Sequence, residues 1–318
     1  MRNVLVLGGT GFVGRSVCER LVERNGGGAG RVVVPTRRLA HGQHIRSLPG
    51  LELVEASVHD DAHLARLLHG VDAVVNLVAI LHGSRPNFEK VHVELPRRLA
   101  RACQEIGVRR LVHVSALGVG PGAPSNYLRS KTEGEAVLQA SGLDLTILRP
   151  SVIFGAEDRF LNLFAKLQAL APFMPLAGCD ATFQPVWVED VASAVVAALE
   201  QPSSIGQVIE CAGPQVFTLA ELVRLAGRWS GHPRPVLPLP AFAGRLQALA
   251  MELLPGEPLM SRDNVDSMQV PNVASGTLPG LASLGITATA LEAVAPGYLG
   301  RAPGRARYEH WRACARRD

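Results

Sequence analysis

The chain opens on an unbroken apolar run, Val4-Leu5-Val6-Leu7, which reads as a strand buried on both faces. Gly8-Gly9-Thr10-Gly11-Phe12-Val13-Gly14 follows at once, and Arg15 to Arg24 then reads as a helix. The alternation continues. Further strands are expected at Arg31–Pro35, Leu51–Val54, Ala73–Ala79, Leu111–Val114 and Leu145–Leu148. Helices are expected between them, at Ala62–Leu68, at Val91–Ile106, and from a Ser125 or Asn126 cap to about Ala140. Val91, Leu95, Leu99, Cys103 and Ile106 share one face of the second of these. Six strands alternating with helices predict an α/β fold with a doubly wound parallel sheet.

A strand, a glycine turn and a helix in that order make a phosphate site. Free N–H groups and the dipole at a helix N-terminus attract anions. Gly8 allows the tight turn, Gly11 lets backbone approach the phosphates, and Gly14 lets the helix pack close to the strand. The spacing is G-x-x-G-x-x-G, and its context makes this a Rossmann-type dinucleotide site. At the end of the second strand, where such a site meets the adenosine ribose, the chain reads Thr36-Arg37-Arg38. An acid there would accept bonds from the 2′-hydroxyl and repel a 2′-phosphate. Two arginines instead suit a phosphate, so NADP(H) is expected as the preferred cofactor and NAD(H) as the lesser one.

After Ser151 the alternation loosens. Phe160–Ala171 reads as a helix, Phe183–Val188 as a strand, Val191–Leu199 as a helix and Val208–Cys211 as a strand. Thr218–Trp229 is a helix opened by a Thr218–Glu221 capping box, and Ala241–Leu254 is amphipathic. The expected division is a dinucleotide domain over 1–150, with 183–200 returning to its sheet. A smaller substrate or partner lobe takes 151–182 and 201–300, and a basic tail takes 301–318.

Composition narrows the function classes. No apolar run is long enough to span a bilayer, and the N-terminus enters a strand without a signal-peptide pattern. The five cysteines lack metal spacing and read as free thiols in a reducing compartment. His59 and His63 have no third ligand near them in the sequence, so no metal is expected. These features predict a cytoplasmic protein. The net charge of +4 equals the surplus of residues 301–318, which hold six arginines against one Glu and one Asp. The body of the chain is balanced, which argues against a nucleic-acid partner. The tail also carries Tyr308 and Trp311, a basic aromatic pattern that suits an anionic membrane surface or an acidic partner.

Lysine is scarce, with Lys90, Lys131 and Lys166 alone, and so is tyrosine, with Tyr127, Tyr298 and Tyr308. Tyr127-Leu128-Arg129-Ser130-Lys131 nonetheless places one of each on a single helix face. A neighbouring ammonium is expected to lower the phenol's pKa, giving a general acid/base suited to hydride transfer at a carbonyl carbon. Ser115, at the end of the fifth strand, is the candidate third member.

GGTGFVG, the strands ending NLVA and HVS, YLRSK and the later RPSVIFG resemble the short-chain dehydrogenase/reductase superfamily, in its extended and atypical branches. VVNLVAILHGSRPNFEKVHVELPRRLARAC, HVSALGVGPGAPSNYLRSKTEGE and FQPVWVEDVASAV are similar to the group that contains the nucleotide-binding accessory subunit of respiratory complex I and bacterial epimerase-like proteins. The resemblance implies that Gly8, Thr10, Gly11, Phe12 and Val13 wrap the pyrophosphate and that Arg37, with Arg38, holds the 2′-phosphate. It puts Ser57 and Val58 at the adenine, and Leu77, Val78 and Ala79 under the riboses. Pro150, Ser151 and Val152 would meet the nicotinamide carboxamide through their backbone. Tyr127 and Lys131 would be the catalytic pair, with Lys131 also on the ribose hydroxyls. Three positions depart from the pattern. Ser57 replaces an Asp at the adenine, and His92 replaces an Asn that often opens the fourth helix. Strict alignment sets Leu117 in the catalytic serine's place, which would leave Ser115 structural.

Two functions follow. One is an NADP(H)-dependent oxidoreductase acting on a carbonyl or hydroxyl group of a small molecule, quinone- or isoprenoid-like given the apolar second lobe. The other is a non-catalytic NADPH-binding accessory or assembly protein of a complex I-type assembly, meeting its partner or the inner face of the membrane through the C-terminal region. Nucleotide-sugar epimerase or dehydratase chemistry ranks third. The sequence does not fix the oligomeric state.

Overall fold

The computed structural model describes residues 2–26, 30–253 and 260–300. Six strands are where apolar runs predict them: β1 (Asn3–Leu7), β2 (Arg31–Thr36), β3 (Leu51–Glu55), β4 (Ala73–Asn76), β5 (Arg110–Val114) and β6 (Asp144–Pro150). They pair in parallel in the order β3-β2-β1-β4-β5-β6, so their carboxyl ends share one edge. The order reverses between β1 and β4, and ligands of open α/β sheets bind outside that reversal. Alternate side chains divide the core in two. Val4, Val6, Val75 and Val112 face one side, where α1 (Phe12–Arg24) packs. Leu5, Leu7, Val74 and Leu111 face the other, with α2 (Asp61–Leu68).

The helix expected from Val91 begins earlier. It runs as α3 (Arg85–Glu89), widens to a π stretch over Lys90–Glu94, and continues as α4 (Leu95–Ile106). α5 (Asn126–Gln139) packs against the π stretch. The fourth strand ends at Asn76 rather than Ala79, because the Asn76 side chain takes the Val78 N–H and turns the chain.

The second half departs further from expectation. Pro185 interrupts the strand expected at Phe183–Val188. The chain instead makes the short strands β7 (Ile153–Phe154), β8 (Met174–Ala177), β9 (Thr182–Phe183) and β10 (Val186–Trp187), with α6 (Leu161–Leu170) before β8. β10 pairs with β7, outside the large sheet. Of the stretch 183–200, only α7 (Val188–Glu200) returns to the sheet, lying beside α1. The strand that does join is β11 (Val208–Cys211), from a stretch expected in the smaller lobe. It pairs in parallel with β6 as the seventh strand. Buried Arg110 explains this. Its guanidinium holds Thr146, the Ala198 carbonyl and Ser204 together, so the chain leaving α7 is already bound to the free edge of β6.

The smaller lobe is built on β12 (Phe217–Thr218), α8 (Leu219–Trp229), β13 (Val236–Leu239), α9 (Ala241–Glu252), α10 (Arg262–Ser267) and α11 (Leu291–Leu299). Its core gathers Phe154, Leu161, Leu222, Val223, Leu291 and Leu299. β13 pairs with β8, and β12 with β9. Among the described residues no helix is long and apolar enough to cross a membrane.

Candidate functional site

The glycine turn is built as a phosphate cradle. Gly8 has φ of +84°, which disfavours a side chain, and its carbonyl accepts the Gly11 N–H at 3.0 Å. A Cβ on Gly14 would lie 2.2 Å from the Gly8 carbonyl oxygen, so only glycine lets α1 start this close to the turn. Gly11 is the N-cap, no side chain caps this end, and no acid stands in its first turn. The amides at Phe12 and Val13 therefore face outward with the dipole behind them. Gly8 also abuts Leu77, with a built Cβ 3.1 Å from the Leu77 carbonyl carbon. The turn and the Leu77–Ala79 stretch thus form adjacent walls, and Thr10 lies half-buried in the turn. Phe12 reaches across to Gly155.

Arg37 and Arg38 leave the end of β2 exposed, and no carboxylate pairs with either among the described residues. Thr36 steers this corner, its hydroxyl donating to the Arg38 carbonyl at 3.0 Å. Ser57 and Val58 lie next to it, since Ala56 N–H bonds the Thr36 carbonyl. Ser57 closes a turn in which its N–H donates to His63 Nδ1 and its hydroxyl accepts from the His59 N–H.

Ser125 caps α5 by accepting the Leu128 N–H at 3.1 Å, so Tyr127 stands in the first turn and Lys131 one turn on. Lys131 is 2% exposed, and its Nζ donates to the Val114 carbonyl at 2.8 Å, beside Ser115. Ser115 is buried, and its hydroxyl has no hydrogen-bond partner among the described residues. This unpaired buried hydroxyl stands at the carboxyl edge of the sheet, where a ligand of such a fold would reach it. Burial lowers the Lys131 pKa to about 8, with Glu135 opposing that shift. Burial likewise pushes the Tyr127 phenol up to about 12. This reverses the expectation of a phenol lowered by its lysine. The ammonium points at a backbone carbonyl, and removal from water dominates.

His92, unremarkable in the sequence as a replacement for Asn, is central here. The π stretch turns it inward, where Nε2 accepts the Ile80 N–H at 3.1 Å. Nδ1 must then carry the proton, which it donates to Ser130 Oγ at 2.8 Å. Ser130 in turn donates to the Tyr127 carbonyl at 2.8 Å. The imidazole also meets the Tyr127 ring edge-on, with centroids 5.5 Å apart, and stacks on Phe88. Burial lowers the His92 pKa to about 3, so it stays neutral. Gly134 makes room for this, since a Cβ there would strike the His92 carbonyl. The chain Ile80–His92–Ser130–Tyr127 ties the floor of the nucleotide cleft to the tyrosine helix. Behind it, Asn76 contacts His113 Nδ1 at 3.2 Å, which makes His113 a buried structural residue.

Two further contacts come from far along the chain. Asp263 of α10 accepts the Asn126 N–H at 2.7 Å and the Tyr127 N–H at 3.0 Å. Asn272 accepts the Val152 N–H at 2.8 Å and the Ser151 hydroxyl at 2.7 Å through Oδ1. The Ser151 N–H goes to the Cys211 carbonyl, and the Pro150 carbonyl accepts from Leu117. Leu117 is therefore buried on β6, while Ser115 keeps its free hydroxyl. No sequence signal marks Asp263 or Asn272, because neither belongs to a local motif. No cluster of side chains fit to hold a metal occurs among the described residues.

An uncapped helix N-terminus behind a glycine turn, at the reversal point of a parallel sheet, fits a nicotinamide dinucleotide. Comparison with known proteins agrees: a family model described as NAD(P)H-binding matches residues 8–202, and the chain belongs to that family. Its fold is that of the short-chain dehydrogenase/reductase group. The chain is 33% identical over 293 residues to NADH dehydrogenase [ubiquinone] 1 alpha subcomplex subunit 9, mitochondrial, of Mus musculus, covering 90% of this chain and 77% of that one. It is 31% identical over 248 residues to a (4-alkanoyl-5-oxo-2,5-dihydrofuran-3-yl)methyl phosphate reductase of Streptomyces griseus, covering 78% and 80%. A dTDP-glucose 4,6-dehydratase from Streptomyces venezuelae, solved with NAD bound, aligns at TM-score 0.65 and 26% identity over 74% of this chain and 84% of that one.

Proposed function

We propose that the protein binds NADP(H) and works as an accessory protein of the complex I subunit type, with the nucleotide seated for binding rather than turnover. One observation carries this reading. Lys131 donates to the Val114 carbonyl, away from the phenol it would have to activate, and burial raises the Tyr127 pKa where activation would lower it. The similarity to the mitochondrial subunit supports it. In this reading the uncapped N-terminus of α1 takes the pyrophosphate, Arg37 and Arg38 take the 2′-phosphate, and Lys131 and Ser115 meet the nicotinamide ribose. Bound there, the nicotinamide could supply or accept a hydride.

A second reading, an oxidoreductase acting on a carbonyl or hydroxyl group, is favoured by the unpaired Ser115 hydroxyl beside an intact Tyr127–Lys131 pair. The reductase relative supports it. The deciding experiment incubates the protein and Tyr127→Phe with NADPH and a panel of quinones and ketones. The accessory reading expects tight NADPH and no oxidation with any acceptor. Turnover that Tyr127→Phe abolishes, with NADPH affinity unchanged, would establish the enzyme instead.

A further inference from the structure

The smaller lobe carries a cavity of about 510 Å³, and none of its lining residues belongs to the nucleotide cleft. One wall is a stripe of α8, where Glu221, Arg224, Leu225 and Arg228 follow one another at helical spacing. The rest of that helix is committed to the core, through Leu222, Val223 and Ala226. Phe217 of β12 and Pro233, just past α8, add apolar surface. Arg234 brings a third guanidinium, and Glu292 in the first turn of α11 completes the lining. A volume of this size is in the range of small-molecule sites.

Two of the guanidiniums are unpaired. Arg224 and Arg228 are exposed, and neither side chain forms an ion pair or hydrogen bond among the described residues. Glu221 stands one turn before Arg224, but its carboxylate is engaged: Oε2 accepts the Thr218 N–H at 2.8 Å and the Thr218 hydroxyl at 2.9 Å. Arg234 is held in place. Its Nε donates to the Gln168 carbonyl at 3.0 Å, and its backbone N–H donates to Gln168 Oε1 at 3.3 Å. Gln168 is fully buried, and its own Nε2 donates to the Val223 carbonyl at 2.8 Å. Gly227 makes the room, since a Cβ there would lie 2.1 Å from Gln168 Oε1. Arg234 therefore presents its two terminal nitrogens from a fixed position, and a preorganised donor loses little entropy when it binds.

We infer that this cavity binds a small organic phosphate monoester, its phosphate on Arg224, Arg228 and Arg234 and its apolar body against Phe217, Leu225 and Pro233. Guanidinium forks pair bidentately with phosphate oxygens. A monoester offers three terminal oxygens, and close to two negative charges, to the three arginines. An extended polyanion such as a nucleic-acid backbone fits less well, because Glu221 and Glu292 share the lining and repel further phosphates. The inference does not depend on the nucleotide reading.

The test titrates the full chain with naphthyl phosphate by calorimetry, with and without excess NADPH. The chain should bind it at a single site from which NADPH does not displace it. Arg224→Gln and Arg228→Gln should each weaken binding about tenfold or more, as loss of a charged hydrogen bond does. Glu292→Gln removes a repelling charge and should tighten binding about two- to fivefold. Naphthol and inorganic phosphate each offer half of the contacts, and both should bind about tenfold or more weakly than the ester. All three substitutions fall at exposed positions, and a parental urea midpoint reports that each variant is folded. Absence of binding, displacement by NADPH, or parental affinity in both arginine variants overturns the inference. So does weaker binding by Glu292→Gln, or naphthol or inorganic phosphate binding as tightly as the ester.

Discussion

Gly14→Ala tests the phosphate cradle at its tightest point. The added Cβ would sit 2.2 Å from the Gly8 carbonyl oxygen and 2.6 Å from the Gly9 Cα, where ordinary contact begins near 3.4 Å. Both neighbours are backbone and neither can rotate away. The start of α1 must therefore withdraw by roughly 1 Å. Alanine gains about 1 kcal/mol over glycine in a helix interior. Overpacking typically costs about 1–3 kcal/mol, so the variant should be less stable despite its better propensity. The effect on function should be larger. That withdrawal moves the first-turn amides away from the pyrophosphate, and a lost hydrogen bond to a charged group costs about 1.5–3 kcal/mol. Titration of NADPH by its fluorescence should thus show about ten- to a hundredfold weaker binding, with a lowered unfolding midpoint in urea. Gly297→Ala is the matched control: its Cβ meets nothing within 4 Å and it lies exposed in α11. That variant should gain up to about 1 kcal/mol and bind NADPH normally. Unchanged NADPH affinity in Gly14→Ala would show that the first turn of α1 is not where the pyrophosphate rests.

His92 can be divided into its two nitrogens. His92→Gln retains an acceptor for the Ile80 N–H and should keep NADPH affinity, whereas His92→Asn retains the donor to Ser130 and leaves that amide unpaired. A lost partner of this kind costs about 1–3 kcal/mol, so NADPH titration should separate the two variants. Arg37→Glu should weaken NADPH by about tenfold or more and leave NADH little changed, which competition between the two cofactors will read. Lys131 is protonated in the unfolded chain up to its ordinary value of 10.5 but in the folded protein only to about 8. Between those values the unfolded state binds more protons, so this group makes stability rise with pH from 8 to 10.5, by about 3 kcal/mol at most. Lys131→Met should flatten that rise in urea unfolding. His92 acts at the acid end: its value falls from 6.5 to about 3, so stability is lost as pH drops through that window. His92→Gln should reduce that acid loss.

The sequence made visible whatever depends on short spacing. Gly8 and Gly14 declare the turn because a positive φ and a 2.2 Å approach admit no other residue. Tyr127 and Lys131 declare themselves by sharing a helix face. Buried parallel strands betray themselves as apolar runs, though Val208–Cys211 gives no hint of which sheet it joins. What stayed hidden is set by distant contacts or by the solvent the fold removes. The sign of the Tyr127 shift depends on burial, which a tyrosine–lysine spacing does not encode. His92 gained its place from a π stretch that periodicity alone reads as ordinary helix. Asp263 reaches back from α10 across more than a hundred positions.

That last reach bears on how the molecule can be divided and made. The amides that open α5 are satisfied by a carboxylate synthesised near the end of the chain, and the sheet's outer strand is also a late arrival. In a nascent chain the first amides of the helix that carries Tyr127 lack this partner until Asp263 has emerged. A fragment ending at residue 150 should accordingly behave as a molten, aggregation-prone species rather than as a miniature nucleotide binder.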